Sequence, residues 1–252
     1  MVNLKLDNDV IEGIELVIFD RDGTLIDLYA YWSWMIAKRA ELICSKLKLQ
    51  PKHKKGLMFA MGIDERNKRI RPEGPVGLKK REIVMQAAID YLLSLNLRDV
   101  SDICLESFQE VNKLSFDNLE NIIKPLNGLY GLFDDLVRNS CKIAIATTDK
   151  TDRARLAMDF LKLTHKIDVI VGENDVKEAK PAPDMAYVIL ERLNVKKDRA
   201  VMVGDAVTDI QMGRNAGLKA SIAVLTGLAP EDELEKFTSY VIESIEDIKV
   251  ES

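Results

Sequence analysis

The stretch that most constrains the fold of this chain is VIFDRDGTL at residues 17–25. Its apolar start predicts a buried strand, and the Asp-Gly-Thr that follows is typical of a turn. The strand would carry Asp20 and Asp22 to its carboxyl end, the edge where open α/β sheets bind ligands. Two adjacent carboxylates repel each other, so such a site needs a cation, a shared proton or a substrate. Taken alone, the stretch fits a plain strand and acidic turn equally well.

Three later segments have a related composition. KIAIATTD at residues 142–149 is an apolar strand pattern that ends in hydroxyls, and AVMVGDAVTD at residues 200–209 ends in carboxylates. Between them, the sequence KPAP at residues 180–183 holds the cation Lys180 in a stretch that two prolines keep extended. Each segment alone is a weak signal, whereas the ordered set of four is specific.

In this order the four segments resemble the four sequence motifs of the haloacid dehalogenase superfamily of phosphohydrolases. The resemblance covers roughly residues 14–27 and 125–225. It implies an α/β fold with a doubly wound, parallel-sheet (Rossmann-like) core and an inserted α-helical cap. It also implies a Mg²⁺-dependent phosphatase that hydrolyses a small phosphorylated metabolite, a phosphomonoester, through an aspartyl-phosphate intermediate.

Hydrophobic patterning divides the chain into two parts. From Pro125 onward strand and helix patterns alternate, which predicts βαβ units and a parallel sheet. The expected strands are 142–146, 169–171, 200–203 and 220–224, and the expected helices are 152–161, 183–193 and 206–216. Residues 29–124 have a helical pattern throughout, so we expect a core domain of 1–28 and 125–252 interrupted by a helical domain of 29–124. Helices are expected there at 29–49, 56–61, 78–97 and 100–114, with Ile83, Ala87, Tyr91 and Leu95 along one face of the third.

The resemblance assigns a catalytic role to four residues. Asp20 would be the nucleophile, and Asp22 the general acid that protonates the leaving group and then the base that activates water. The Thr147 hydroxyl would bind the transferring phosphoryl group, and helix N-capping is its alternative role. Lys180 would neutralise the charge of Asp20 and of the phosphate.

The resemblance also implies a magnesium site. Its protein ligands would be the side chains of Asp20 and Asp205 and the backbone carbonyl of Asp22, since Mg²⁺ prefers a few oxygen ligands and keeps several waters. Asp209 is expected to join this metal site or to orient Lys180, and an ordinary acidic residue at a helix N-terminus explains it equally well. Substrate contacts are expected from Gly23, Thr24 and Thr148.

The helical part contains an unusually basic segment. Between Pro51 and Met85 ten Lys and Arg residues stand against four Asp and Glu. Arg69 and Arg71 lie in this segment, within a stretch that we expect to be a loop leading into a helix. We interpret them as substrate-binding cations for a second anionic group, although for any one of them a solvated basic surface is the commoner case.

The first motif departs from the usual pattern in one position. Arg21 stands between the two acids, where an apolar residue is common in the superfamily. A DRDG sequence also resembles the histidinol-phosphate and heptose-bisphosphate phosphatase branch, whose members lack a large insert here and often carry a cysteine-rich zinc loop. This chain has the insert and lacks those cysteines, so it more closely resembles the phosphoglycolate-phosphatase-like group.

Composition limits the remaining possibilities. Across 252 residues, 36 basic and 41 acidic side chains leave a formal charge of −5, which argues against a nucleic-acid partner. No apolar run approaches a membrane span, and Met1–Glu15 lacks a signal-peptide pattern, so we expect a cytoplasmic protein, a monomer or a homodimer. Cys44, Cys104 and Cys141 are expected to be buried free thiols. Two alternatives stay open: a phosphotransferase or phosphomutase of the same superfamily, and a non-catalytic phosphate-binding module.

Overall fold

The computed structural model describes residues 1–7, 9–77 and 81–251, which form two compact units. The α/β unit consists of Met1–Asp27 and Pro125–Ser252, and the helical unit of Leu28–Lys124. The boundary lies one residue before the one that the sequence predicted. The start of the predicted helix 78–97 falls at residues 78–80, outside the described residues.

The elements are numbered here in chain order. The strands are β1 (Val2–Leu6), β2 (Asp9–Ile14), β3 (Leu16–Phe19), β4 (Ile63–Asp64), β5 (Arg69–Ile70), β6 (Lys142–Ala146), β7 (Val169–Val171), β8 (Ala200–Gly204), β9 (Ala220–Val224), β10 (Tyr240–Ile242) and β11 (Ile248–Glu251). The α-helices are α1 (Leu28–Lys46), α2 (Lys52–Met61), α3 (Arg81–Ser94), α4 (Ser101–Leu114), α5 (Leu119–Ile122), α6 (Leu129–Arg138), α7 (Thr151–Phe160), α8 (Asp184–Leu193), α9 (Val207–Ala216) and α10 (Glu231–Leu234).

A six-stranded parallel sheet organises the α/β unit, with strand order β10-β9-β8-β3-β6-β7. Every residue of β3 and β8 is buried, as expected for parallel strands that are covered on both faces. On one face Leu16 and Ile18 pack with Met185 and Ile189 of α8, and on the other Phe19 contacts Phe133 of α6. The predicted doubly wound α/β fold is confirmed.

The order of the strands determines where a site can form. The first strand of the sheet, β3, lies between β6 and β8. Later strands are therefore added on both sides of β3, and the strand order reverses there. Such a switch point opens a crevice at the carboxyl ends of the strands. All three motifs that follow strands therefore end at one place.

A second sheet was not anticipated from the sequence. Strands β11, β1 and β2 form a three-stranded antiparallel sheet in that order. Residues 2–7 alternate apolar and polar side chains strictly, a strand signal that was missed in the sequence, and the apolar residues of β1 are the buried ones. The partner strand β11 lies more than 230 residues away in sequence. The strand β1 could thus have been predicted from its period, whereas its pairing with β11 could not, because periodicity does not identify a partner strand.

In the helical unit, the inward face of α3 differs from the predicted one. The buried residues are Val84, Ala88, Ile89 and Leu92, whereas Ile83, the first residue of the predicted stripe, is 49% exposed. Two adjacent apolar stripes run along this helix, and spacing alone does not say which one faces the core.

One further expectation for this unit changes. The segment around Arg69 is not simply a loop, because β4 and β5 form a two-stranded antiparallel hairpin there. The aromatic residues 29, 31, 32 and 34 are half-buried, and the buried stripe of α1 begins at Met35. The expectation for the thiols is confirmed, since Cys44, Cys104 and Cys141 are all buried and free. Among the described residues, no helix is both long and apolar enough to cross a membrane.

Candidate active site

The four motifs meet at the carboxyl edge of the parallel sheet. Asp20 follows β3, Thr147 follows β6 and Asp205 follows β8. The ladder continues one residue past the strand ends, since the backbone N–H of Asp20 donates to Val203 (2.9 Å) and that of Thr147 donates to Val171 (3.0 Å). These bonds hold the residues at the edge in a fixed backbone position.

Lys180 forms the centre of a buried ion-pair network. Its Nζ donates to Oδ1 of Asp20 at 2.6 Å and to Oδ1 of Asp209 at 2.7 Å, and only 1% of its side chain is exposed. Burial disfavours the ammonium charge, but the two carboxylates outweigh it and raise the pKa of Lys180 above its ordinary value. Lys180 is therefore held as a cation beside Asp20, while its predicted role toward the phosphate stays a prediction.

Asp209 makes two different contacts. While Oδ1 accepts from Lys180, Oδ2 accepts from the backbone N–H of Ala206 at 3.0 Å, at the start of α9. It thus orients Lys180 and also acts as the acidic residue of a helix N-terminus, so two of the roles considered from the sequence coexist. Its predicted role as a metal ligand stays a prediction.

Three carboxylates converge at this edge. Oxygens of Asp20, Asp205 and Asp209 all lie within 4.8 Å of one another. Burial raises the pKa of Asp20 although the nearby Lys180 charge acts in the opposite direction. Burial, together with the charges of Asp20 and Asp209, raises the pKa of Asp205 well above its ordinary value. One ammonium cannot balance three carboxylates, and an all-oxygen donor set of this kind fits a hard divalent cation such as Mg²⁺.

The carboxylate of Asp205 is enclosed by small residues. Thr24, which is fully buried, donates its hydroxyl to Oδ1 of Asp205 at 3.0 Å. Gly23 has a φ of +90°, and a Cβ atom there would lie 2.5 Å from Oδ2 of Asp205. On the described contacts, Gly23 and Thr24 shape the surroundings of Asp205, while their predicted contact with substrate stays a prediction.

Two residues of this enclosure were missed in the sequence. A Cβ atom at Gly227 would lie 1.8 Å from Oδ2 of Asp205, and the hydroxyl of Thr226 donates to the backbone carbonyl of Gly23 at 2.5 Å. The available signal was the Thr-Gly pair that follows the apolar stretch 220–224, in the same position relative to a strand as the polar residues of the other motifs.

Arg21 connects two acidic residues at the same edge. A single nitrogen of its guanidinium, Nη2, donates to Oδ2 of Asp22 and, at 2.9 Å, to Oδ2 of Asp149. Withdrawal of Asp22 from water raises the pKa of its carboxyl, and the Arg21 charge opposes this shift. The partner Asp149 was also missed, although it ends the second motif and lies three residues after β6.

The two threonines of the second motif differ in exposure. Thr147 is 1% exposed, and its hydroxyl accepts from the backbone N–H of Asp149 at 3.1 Å. Because α7 begins at Thr151, Thr147 is not the N-cap of that helix, and this alternative was wrong. Thr148 is exposed. The contacts of Thr147 and Thr148 with a phosphoryl group stay predictions.

Arg69 and Arg71 have partners inside the helical unit. The guanidinium of Arg71 lies 3.8 Å from the ring centroid of Phe59 and donates to the Phe59 carbonyl at 2.9 Å. Arg69 is more exposed, and its Nε lies 3.6 Å from Oδ2 of Asp64. These contacts give both side chains a defined place on the helical unit, and their role in substrate binding stays a prediction.

Sequence comparison identifies the family. Residues 17–224, more than four fifths of the chain, match the family model described as haloacid dehalogenase-like hydrolase. The chain belongs to this family. The resemblance that the four motifs suggested is therefore confirmed.

The curated relatives of this chain match part of its length. Pyrophosphatase PpaX of Halalkalibacterium halodurans is 32% identical over 130 residues, which cover 51% of this chain and 60% of the relative. Pyrophosphatase PpaX of Bacillus cereus is 31% identical over 116 residues, which cover 46% of this chain and 54% of the relative. The matched region thus spans little more than half the length of either relative.

Solved structures confirm the fold over nearly the whole chain. A predicted phosphoglycolate phosphatase from Haemophilus somnus has a TM-score of 0.69 at 16% identity, with 94% of this chain and 97% of that chain covered. A hydrolase of haloacid dehalogenase superfamily subfamily IA from Geobacter sulfurreducens has a TM-score of 0.63 at 15% identity, with coverage of 93% and 94%. At these identities the likeness concerns the fold alone.

Proposed function

We propose that this hydrolase is a Mg²⁺-dependent phosphatase that cleaves a small-molecule phosphomonoester through an aspartyl-phosphate on Asp20. The observation that carries the proposal is the buried contact of 2.6 Å between Asp20 and Lys180, beside two further carboxylates. A buried carboxylate that is kept near a permanent cation has both the charge and the fixed position that a nucleophile requires.

The first step forms the covalent intermediate. A carboxylate oxygen of Asp20 bonds to phosphorus while the bond from phosphorus to the leaving oxygen breaks. Asp22 gives its proton to that oxygen, and a raised pKa favours the protonated form that this role needs. Lys180 and the hydroxyl of Thr147 are suited to stabilise the charge on the phosphoryl oxygens, since both end at the same sheet edge as Asp20.

The second step regenerates the enzyme. Asp22, now ionised, takes a proton from water, whose oxygen bonds to phosphorus while the bond to the Asp20 oxygen breaks. Inorganic phosphate leaves, and both carboxyl groups return to their starting protonation. The same two side chains thus serve both half-reactions, as microscopic reversibility allows.

Mg²⁺ is the cofactor that the site fits best. Asp20 and Asp205 would hold it, with the backbone carbonyl of Asp22, and Asp209 would support them from its contact with Lys180. When bound, the ion supplies positive charge that offsets the carboxylates and the phosphate. The unbalanced charge of the described cluster supports this assignment.

Inorganic pyrophosphate is a second candidate substrate. The observation that favours it is the similarity to two proteins named pyrophosphatase PpaX, at 31–32% identity over about half of this chain. The proposed chemistry is unchanged, because Asp20 would attack one phosphorus atom and the other phosphate would leave.

We also propose a cytoplasmic location, which the three buried free thiols support because reducing compartments keep cysteines unpaired.

A direct assay tests these proposals. Phosphate release is measured from p-nitrophenyl phosphate, a panel of phosphorylated metabolites and pyrophosphate, each with Mg²⁺ and with excess chelator. We expect Mg²⁺-dependent release, and the ratio of kcat/KM for the best monoester to that for pyrophosphate identifies the substrate class. Borohydride reduction of the enzyme during turnover should convert Asp20 to homoserine, which mass spectrometry detects. Turnover without any modification at Asp20 would contradict the covalent intermediate.

A further inference from the structure

We propose that Arg21 is a positioning residue that fixes the carboxylate of Asp22 by bridging it to Asp149. This inference rests on the proposed function, because it assigns the bridge to the general acid and base of that reaction. It also accounts for the departure of this chain from the usual apolar residue between the two acids of the first motif.

The contacts of Arg21 are specific in geometry. One nitrogen, Nη2, donates to carboxylate oxygens of both Asp22 and Asp149, and only 5% of the Arg21 side chain is exposed. Asp20 contacts Lys180, whereas Arg21 reaches the turn after β6.

Asp149 is itself held firmly, so it can serve as an anchor. Its backbone N–H donates to the Thr147 hydroxyl at 3.1 Å, and its backbone carbonyl accepts from the N–H of Glu173 at 3.1 Å. Its Oδ1 accepts from the backbone N–H of Lys150 at 2.8 Å. The bridge therefore links Asp22, which is on the first motif, to a turn of the second motif whose position the backbone determines.

Stability alone does not account for a buried arginine here. Removing a guanidinium from water costs several kcal/mol, and an apolar side chain of similar volume is often as stabilising or more so. In addition, Nε of Arg21 finds no hydrogen-bond partner among the described residues. The retained contact with Asp22 is thus better explained by control of its orientation than by a gain in folding free energy.

The backbone of the turn does not depend on the Arg21 side chain. The carbonyl of Arg21 accepts from the N–H groups of Leu25 and Ile26 at 2.9 and 3.0 Å, and these bonds remain after a side-chain substitution. Arg21→Met replaces the guanidinium with a shorter, unbranched side chain that has no charge, and Arg21→Lys keeps the charge without the planar fork. Arg39→Met removes another buried arginine, in the helical unit, and serves as the matched control.

The kinetic test compares substituted phenyl phosphates that differ in leaving group. A misplaced general acid harms poor leaving groups most, because these need protonation. For Arg21→Met we expect a loss in kcat/KM of less than about tenfold with p-nitrophenyl phosphate and of about a hundredfold with phenyl phosphate. Asp22→Asn and Asp149→Asn should also make kcat/KM depend more steeply on the leaving group. Arg21→Lys should lose less activity with phenyl phosphate than Arg21→Met does, and Arg39→Met should show the wild-type dependence on the leaving group.

A double variant and a structure complete the test. Arg21→Met combined with Asp22→Asn should be no slower than Asp22→Asn alone. Both substitutions remove the same effect, the positioning of an active Asp22 carboxylate by Arg21, so the second adds no further loss. Crystal structures of the wild type and of Arg21→Met should show an ordered Asp22 carboxylate in the first and a displaced or disordered one in the second. Equal losses for all leaving groups, additive losses in the double variant or an unmoved Asp22 would overturn the proposal. A wild type without phosphate release would refute the proposed function instead, and the crystal structures would still decide the role of Arg21.

Discussion

Gly227 packs against the carboxylate of Asp205 so closely that a Cβ atom at position 227 would lie 1.8 Å from Oδ2. No real side chain tolerates that distance, so the loop after β9 approaches the acidic cluster only because residue 227 is glycine. Gly23 approaches the same carboxylate from the first motif, and Thr226 joins the two loops by its bond to the Gly23 carbonyl. The position of Asp205 is therefore set by backbone packing on two sides.

The first prediction follows from this contact. Gly227→Ala should displace Asp205 and lower both the affinity for Mg²⁺ and the rate of phosphate release, each by about a hundredfold, since ångström-scale displacements cost that much in other sites. Titration calorimetry with Mg²⁺ and a phosphate-release assay measure the two effects. Gly131→Ala is the control, because a Cβ on that residue of α6 meets nothing within 4 Å. Equal effects of the two substitutions would contradict the role given to Gly227.

The contact between Gly227 and Asp205 is one that the sequence alone could not predict. Asp20, Thr147 and Asp205 were predicted because each follows a strand, and Lys180 because it precedes two closely spaced prolines, so local pattern and family motif agree. Gly227 and Asp149 act through contacts with residues that are distant in sequence. Such contacts exist only once the strand order β9-β8-β3-β6 brings the loops together, and no local periodicity encodes them.

The second prediction concerns the nucleophile. Asp20→Asn preserves the shape of the side chain but removes its charge, so kcat should fall by about 10⁴-fold or more. The fold should survive, because Lys180 keeps its contact with Asp209. Activity and thermal unfolding are measured together, with Asp198→Asn, an exposed residue, as the control. Retention of most activity by Asp20→Asn would show that another group attacks phosphorus.

The third prediction concerns the metal. Chelation should abolish phosphate release, Mg²⁺ should restore it, and Ca²⁺ should restore little, because Ca²⁺ takes more ligands at longer distances. Mg²⁺ should also stabilise the native protein by about 2.7 kcal/mol at a concentration 100 times its Kd. A rise in Tm measures this effect without turnover, and Asp205→Asn should remove most of it. Full activity in excess chelator would mean that the acidic cluster works without a divalent ion.

In the fold, as in the site, local elements could be predicted from the sequence, whereas tertiary contacts could not. Five of the six parallel strands were predicted within a residue or two, since a continuous apolar run between turn residues is typical of a strand that is buried on both faces. The sixth, the short edge strand β10, was missed. The inward face of α3 was placed one residue away, because Val84 and Ile83 are equally apolar and only the neighbouring helices select between them. The antiparallel sheet of β11, β1 and β2 depends on the pairing of the two ends of the chain, which is likewise a tertiary property.

The last prediction concerns substrate recognition by the basic segment of the helical unit. If Arg69 and Arg71 bind a carboxylate or second phosphate of the natural substrate, reversing either charge should raise KM for that substrate by about tenfold, the range of one charge-assisted contact. Hydrolysis of p-nitrophenyl phosphate should change little, because this compound offers no second anionic group. Arg69→Glu is the cleaner variant, since Arg71 also supports Phe59 and its loss disturbs packing. Lys38→Glu reverses the charge of an exposed side chain on α1 and serves as the control. An unchanged KM in both arginine variants, with folding intact, would mean that these cations face solvent and that other residues recognise the substrate.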